Sequence, residues 1–180
     1  MDNSNKIAIF ANGCFWCTEA VFSMLNGVKT VLPGYTGGKT ENPSYDSVSG
    51  GNTGHAEAIK IEYDPNVISY DDLLSVFFNT HDPTTLNKQG HDIGTQYRSA
   101  IFYIDDEQKD KAENLIKELD QNKAYDRPVV TEVKKFDKFY ESEDYHKKYY
   151  ENNPNQMYCQ LVIAPKLAKL QERFSKLIKK

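Results

Sequence analysis

Apolar and polar positions along this chain alternate in short runs whose period changes every ten residues or so. Ile7-Ala8-Ile9-Phe10 predicts a buried strand that stops at Ala11-Asn12-Gly13. Over residues 14–26, Phe15, Val21, Phe22 and Leu25 recur at roughly helical spacing and Gly27 offers a C-terminal cap, which predicts the first helix. Residues 28–32 predict a second strand, ended by Pro33-Gly34. Residues 57–63 alternate strictly, with Glu57, Ile59, Ile61 and Tyr63 on one face and Ala58, Lys60 and Glu62 on the other. That is a half-buried strand with Glu57 at the head of its apolar face. Ser69 followed by Asp72 resembles a capping box, and Leu73, Leu74, Phe77 and Phe78 supply the buried stripe of a second helix that ends at His81-Asp82-Pro83. A polar stretch to Gln96 leads into a strand over 99–104, a helix over 105–122 with Ala112, Leu115, Ile116 and Leu119 inward, and a strand over 129–133.

The resulting order, β-α-β-loop-β-α-β-α-β, favours a two-layer α+β sandwich of ferredoxin-like kind, with a mixed sheet, flanking helices and long functional loops; a small doubly wound sheet is the other possibility. Residues 34–54 carry six of the ten glycines with no period, and an ordered loop of that length in a compact domain points to function. Residues 1–5 read as a polar tail. Residues 135–180 are less regular: 139–158 are rich in Tyr, Asn and charge, Leu161-Val162-Ile163 is expected to add an edge strand, and Leu167, Leu170, Phe174 and Leu177 mark a closing amphipathic helix with a basic outer face.

With 180 residues, 39% of them hydrophobic, the chain can bury one sizeable core, so residues 1–180 are expected to form a single catalytic domain and a monomer. Twenty-two basic against 26 acidic residues give a net charge of −4, which argues against a nucleic-acid partner. The longest apolar stretches are a few residues, far short of the ~18 needed to cross a membrane. The start, MDNSNK, lacks the basic-then-apolar pattern of a secretory signal, so a cytoplasmic location is expected. Three cysteines cannot all pair within one chain, and in a reducing compartment they read as reactive or buried thiols.

Cys14 falls where a strand turns into a helix, beside free backbone N–H groups and the positive end of the helix dipole, both of which favour a thiolate. Cys17 lies three residues on, along the same helix face, so the two sulfurs can meet and form a disulfide. A CxxC pair also occurs in metal sites, but Cys159, His55, His81, His91 and His146 show no second closely spaced pair of ligands. An inert buried pair is equally compatible with the spacing. Phe15 and Trp16 are either plain core or an apolar box suited to a methyl or thioether group.

Gly13-Cys14-Phe15-Trp16 resembles the signature of the A class of peptide methionine sulfoxide reductases. The likeness continues in order through Pro43-Ser44-Tyr45, Thr53-Gly54-His55-Ala56-Glu57, Tyr63-Asp64-Pro65, His81-Asp82-Pro83-Thr84-Thr85 and Asp92 with Gly94-Thr95-Gln96-Tyr97-Arg98-Ser99, covering about residues 7–158. Two departures stand out. Most members have glycine where Cys17 stands, and no glycine-rich run follows Cys159, although Tyr158-Cys159 is similar to the segment in which many members carry a recycling cysteine.

The resemblance implies reduction of the S epimer of methionine sulfoxide, in oxidised proteins and as the free amino acid, as part of repair under oxidative stress. Cys14 is the implied nucleophile, left as a sulfenic acid once methionine departs. Glu57, expected to be desolvated at its strand head and so to keep its proton near neutral pH, is the implied acid. Tyr45 and Tyr97 are expected to hydrogen-bond the sulfoxide oxygen, Asp92 to order that wall, and Phe15 and Trp16 to cradle the S-methyl group. A second thiol, Cys17 or Cys159, condenses with the sulfenic acid, with Cys17 favoured by proximity and Cys159 by family position. Thioredoxin is the implied reductant, with no metal or organic cofactor. The rival activities are a general thiol–disulfide oxidoreductase using the CxxC pair and a metal-binding module.

Overall fold

A computed structural model describes residues 4–180 of the chain, so most of the polar tail read over residues 1–5 lies outside the described residues. In chain order the elements are β1 (Lys6–Asn12), α1 (Phe15–Ser23), β2 (Val28–Thr36), α2 (Tyr45–Ser49), β3 (Ala56–Tyr63), α3 (Tyr70–Asn79), a small hairpin of β4 (Lys88–Gln89) and β5 (Asp92–Ile93), β6 (Ser99–Tyr103), α4 (Asp106–Gln121), β7 (Glu132–Lys135), β8 (Phe139–Glu141), α5 (Tyr149–Asn152) and α6 (Ala164–Arg173). The main sheet has the order β7-β6-β1-β3-β2-β8. Its four inner strands, β6-β1-β3-β2, are antiparallel to each neighbour, with α1 joining β1 to β2 and α3 joining β3 to β6. This pair of interleaved split βαβ units is the ferredoxin-like arrangement expected from the sequence. The edges extend it: β7 lies parallel to β6 after the α4 crossover, and β8 pairs antiparallel to the outer end of β2.

Strand alternation divides the apolar residues between two faces. Ala8 and Phe10 of β1, with Ile59 and Ile61 of β3, join Val21 and Phe22 of α1 and Leu73, Leu74 and Phe77 of α3 in the main core. Ile9, Ala11, Ala56, Ala58, Ala100 and Phe102 form a second cluster on the opposite face, covered by Phe136 and Phe139. The capping box read from the sequence is present: Ser69 Oγ accepts from the Asp72 amide at 3.0 Å and Asp72 Oδ2 accepts from the Ser69 amide at 3.0 Å. It starts α3 with the stripe of Leu73, Leu74, Phe77 and Phe78 fully turned inward.

Three expectations need correction. β2 does not stop at Pro33-Gly34 but runs to Thr36. β8 pairs with β2 only over Gly34 to Thr36, and beyond it the Ser142 amide donates to the Pro33 carbonyl at 2.9 Å, so the proline stands at the end of that ladder, where a missing N–H is tolerated. Gly34 is required by the neighbour: a Cβ at that position would run into the backbone oxygen of Tyr140 and the ring of Phe139. Leu161-Val162-Ile163 is not an edge strand; it lies in a π-helical turn, Cys159–Ile163, that leads into α6. The buried positions Cys159, Ile163 and Leu170 keep a helical period while Leu161 points to solvent, so packing overrides the local apolar run. The last strand of the main pattern is shifted from 129–133 to Glu132–Lys135, and β8 was not foreseen at all.

Phe10 sits at the centre of the aromatic core, with ring centroids 5.5 Å from Phe22, 6.0 Å from Tyr70 and 5.0 Å from Phe77. Phe10→Ala should lower unfolding stability by about 3–5 kcal/mol in a denaturant titration with the slope unchanged. A loss under 1 kcal/mol would mean that this core repacks freely.

Candidate active site

Gly13 turns the chain from β1 into α1 with φ at 107°, a conformation that side chains disfavour, and so sets Cys14 as the residue that starts the helix. The first amides of a helix have no partner within it. Here the Cys14 carbonyl accepts from the Cys17 and Thr18 amides at 3.1 and 3.3 Å, and the Phe15 amide donates to Glu57 Oε2 at 3.0 Å. Glu57 arrives from β3 as the sequence pattern implied, at the head of the apolar face and only 2% exposed. Burial pushes its carboxyl up to about 8 against the Phe15 amide, which pulls the other way, with Asp92 and Cys17 adding to the rise.

The thiols depart from the helix-dipole expectation. Burial, then the hydrogen bond to Cys17 and the charge of Glu57, hold the Cys14 thiol well above the ordinary value, outweighing the Trp16 amide. Burial outweighs the helix end at Cys14, and the Phe15 amide there serves Glu57. The hydrogen bond from Cys14 lowers Cys17 to about 7 against its own burial, with the charge of Lys166 and the Tyr158 hydroxyl assisting. Of the two, Cys17 is the sulfur that holds its proton less tightly. Cys159, expected to need bringing across the fold, is already fully buried in one apolar cluster with both. All three thiols are free.

Around them stand the other residues singled out from the sequence. Tyr45 opens α2, capped by Ser44, and its ring stacks on Phe15 at 6.4 Å. Tyr97 ends a 3₁₀ turn, Thr95–Tyr97, and packs against the cysteine cluster. Burial first and Glu57 second raise the hydroxyl pKa of both tyrosines, keeping them as donors. Asp92 on β5 accepts from Tyr158 Oη at 2.9 Å, and the same hydroxyl lies 3.6 Å from the Cys17 sulfur. Phe15 is 1% exposed and belongs to the main core, so it backs Tyr45, whereas Trp16 is half-buried at the surface of the pocket. His55 is structural: its ring nitrogens bond the Gly38 amide at 3.0 Å and the Thr40 carbonyl at 2.8 Å, tying the glycine-rich loop together.

Sequence reasoning missed the supports, which come from residues 143–158. Glu143 accepts from the Tyr35 hydroxyl and the Tyr45 amide, each at 3.1 Å. Trp16 Nε1 donates to His146 Nδ1 at 2.9 Å, and its ring stacks on Tyr149 at 3.7 Å and 6°. Glu19, on the turn of α1 after Trp16, takes the Lys148 amide on both carboxylate oxygens at 2.9 and 3.0 Å, and burial raises it to about 7. The abundance of tyrosine in this stretch was the one visible signal. A cavity of about 760 Å³ lined by Glu19, Val31 and Leu167 lies next to this support and contains none of Cys14, Glu57, Tyr45 or Tyr97. Among the described residues no three His, Cys, Asp or Glu side chains group to hold a metal ion, and no helix is long and apolar enough to cross a membrane.

Fold and site together define a ferredoxin-like α+β protein with a cysteine pair at a helix start facing a buried carboxyl and two tyrosines. The model of the peptide methionine sulfoxide reductase family matches residues 6–178, and the chain belongs to that family. It is 54% identical to peptide methionine sulfoxide reductase MsrA of Chromobacterium violaceum over 95% of this chain and 97% of that one. With the Deinococcus radiodurans MsrA the identity is 56% over 93% and 81% of the two chains. Among solved structures, reduced Mxr1 from Saccharomyces cerevisiae superposes with a TM-score of 0.79 at 32% identity, covering 88% of this chain and 91% of that one.

The raised carboxyl at Glu57 has a thermodynamic consequence. A group that holds its proton to about 8 when folded but releases it near 4.3 when unfolded binds more protons in the native state between those values, so its contribution falls as pH rises through that window. Glu57→Gln should therefore gain stability relative to the parent by several kcal/mol between pH 5 and 8, read from urea midpoints. A stability difference that stays flat over this range would show that Glu57 is ionised throughout.

Proposed function

We propose that the chain is a thiol-dependent reductase of the S epimer of methionine sulfoxide, protein-bound or free, working as one catalytic domain over residues 1–180, as a monomer in the cytoplasm. The observation that supports this reading is the Phe15 amide to Glu57 bond, which holds a buried carboxyl of raised pKa at the helix start next to Cys14, with Tyr45, Tyr97 and Trp16 as the expected wall and Phe15 behind Tyr45. Sulfoxide reduction needs a sulfur nucleophile and a proton for the departing oxygen on opposite sides of one substrate atom. Glu57 supplies the proton, Tyr45 and Tyr97 donate to the oxygen, and Asp92, held by Tyr158, orders that wall. As Cys14 attacks, its own proton passes along the thiol–thiol hydrogen bond to Cys17. The oxygen leaves methionine for Cys14, so that methionine is reduced and Cys14 becomes a sulfenic acid.

Recycling follows from the same cluster. The Cys17 sulfur attacks the Cys14 sulfenic sulfur, the hydroxyl departs as water with the Cys17 proton, and a Cys14–Cys17 disulfide remains. Cys159 then exchanges with that disulfide, and a dithiol protein of thioredoxin type returns the three thiols to the reduced state. Cys14, Cys17 and Cys159 share one buried apolar cluster, which supports Cys17 as the intermediate carrier. The electrons come from thiols throughout, so the chemistry requires neither metal nor organic cofactor.

The test of the activity is an assay of separate S and R sulfoxide epimers with a chemical dithiol. Turnover of S alone is expected, because a fixed pocket admits one arrangement of methyl, oxygen and chain. Equal turnover of R, or thiol–disulfide exchange without sulfoxide reduction, would overturn it and favour the general oxidoreductase. For the recycling order, Cys159→Ser should still form Cys14–Cys17 after one turnover, and Cys17→Ser should accumulate sulfenic Cys14 or bond it to Cys159, as mapped by mass spectrometry of peptides. Accumulated sulfenic acid in Cys159→Ser with normal recycling in Cys17→Ser would make Cys159 the sole resolving residue.

A further inference from the structure

Trp16 is the only tryptophan in the chain, and two contacts of different kinds hold its ring. Tyr149 stacks on one face with centroids 3.7 Å apart and planes within 6°. Stacking sets the plane of a ring but leaves it free to slide and turn within that plane. The hydrogen bond from Nε1 to His146 Nδ1, at 2.9 Å, removes that freedom because it is directional and acts at the ring edge.

An indole nitrogen can only donate, so His146 Nδ1 must be bare and the imidazole proton must sit on Nε2. That nitrogen is buried and has no protein partner. The ring is 0% exposed, packed against Tyr145 at 4.0 Å, Tyr45 at 4.4 Å and Phe15 at 5.0 Å. A phenyl ring would fill such an apolar slot without burying an unpaired N–H. What histidine adds in return for that unfavourable burial is an acceptor aimed at Trp16.

We infer that His146 is a positioning residue for the reductase: through Nδ1 it fixes the in-plane orientation of Trp16, the pocket wall for the S-methyl group, which Tyr149 backs. The inference rests on the reading of Trp16 as that wall. A wall of this kind binds ground state and transition state alike, so loosening it raises KM and leaves kcat nearly unchanged.

The experiment compares the full-length parent with His146→Phe, which keeps a ring without an acceptor, and His146→Asn, whose side-chain oxygen can stand where Nδ1 stood. Kinetics use free methionine S-sulfoxide with a chemical dithiol, and intrinsic fluorescence reports on Trp16 alone. His146→Phe should raise KM by roughly five- to tenfold with kcat within about twofold, and should shift the emission maximum of Trp16, since a lost neutral hydrogen bond is worth about a factor of that size. His146→Asn should restore both. Should His146→Phe not fold by circular dichroism, His146→Leu, similar in shape to Asn, takes its place. An unshifted emission with parental KM in the acceptor-free variant overturns the proposal, as does a folded His146→Asn that is as impaired as the acceptor-free variant. A parent that reduces no sulfoxide would overturn the assigned activity instead, while the emission comparison would still decide whether His146 orients Trp16.

Discussion

The amide of Phe15 can serve one acceptor, and in this molecule it serves Glu57 rather than the sulfur of Cys14. That choice fixes the geometry of the site, because it joins the start of α1 to the head of β3 and holds the Glu57 carboxyl on the residue next to Cys14. It also fixes the electrostatics. An amide hydrogen bond alone would favour the carboxylate, but a side chain 2% exposed loses more from desolvation than it gains from one donor, and the net shift is upward to about 8. Buried beside Cys17 and Glu57, Cys14 is held as a thiol.

The second dependence is on a stretch with little regular structure. Residues 143–158 hold only short helical turns, yet they back Trp16, Tyr45 and Asp92 at once. They are ordered by side chains that capture backbone amides or by hydroxyls that reach across the fold: Glu143 bonds the Tyr45 amide, Glu19 bonds the Lys148 amide, and Tyr158 bonds Asp92. Lys148 is held at φ 51°, a left-handed conformation that an ordinary side chain adopts at a cost, and the two bonds from its amide to Glu19 offset that cost. Each of these bonds is individually modest; together they replace the ladder that a strand would have provided.

This distinction explains what the sequence showed and what it hid. Periodicity reports which residues share a face, so the alternation of 57–63 placed Glu57 correctly at the head of an apolar face, and Ser69 with Asp72 announced the start of α3. Composition rules failed where a neighbour distant in sequence decided the outcome. Pro33-Gly34 is punctuation in isolation, but it lies inside β2, where β3 pairs with it on one side and β8, more than a hundred residues later, pairs with Gly34 to Thr36 on the other. Leu161-Val162-Ile163 has strand-forming residues, yet burial of Cys159 and Ile163 on one helical face wins. His146 and Glu19 were invisible for the same reason, since their bonds to Trp16 and Lys148 span 130 and 129 positions of chain.

Burial creates a conflict at the centre of the site, and in the proposed mechanism Cys17 resolves it. The desolvation that keeps Glu57 protonated also keeps Cys14 protonated, so the environment that suits the acid disarms the nucleophile. A more exposed site would free the thiolate and lose the acid. On that reading Cys17 removes the dilemma without exposing either group: its thiol, lowered to about 7 by Cys14, takes the proton as Cys14 attacks. In the proposed mechanism this residue therefore acts twice, as the proton acceptor that arms Cys14 and then as the thiol that resolves its sulfenic acid. Both roles need the same placement, one helical turn along α1 within hydrogen-bond reach of the Cys14 sulfur.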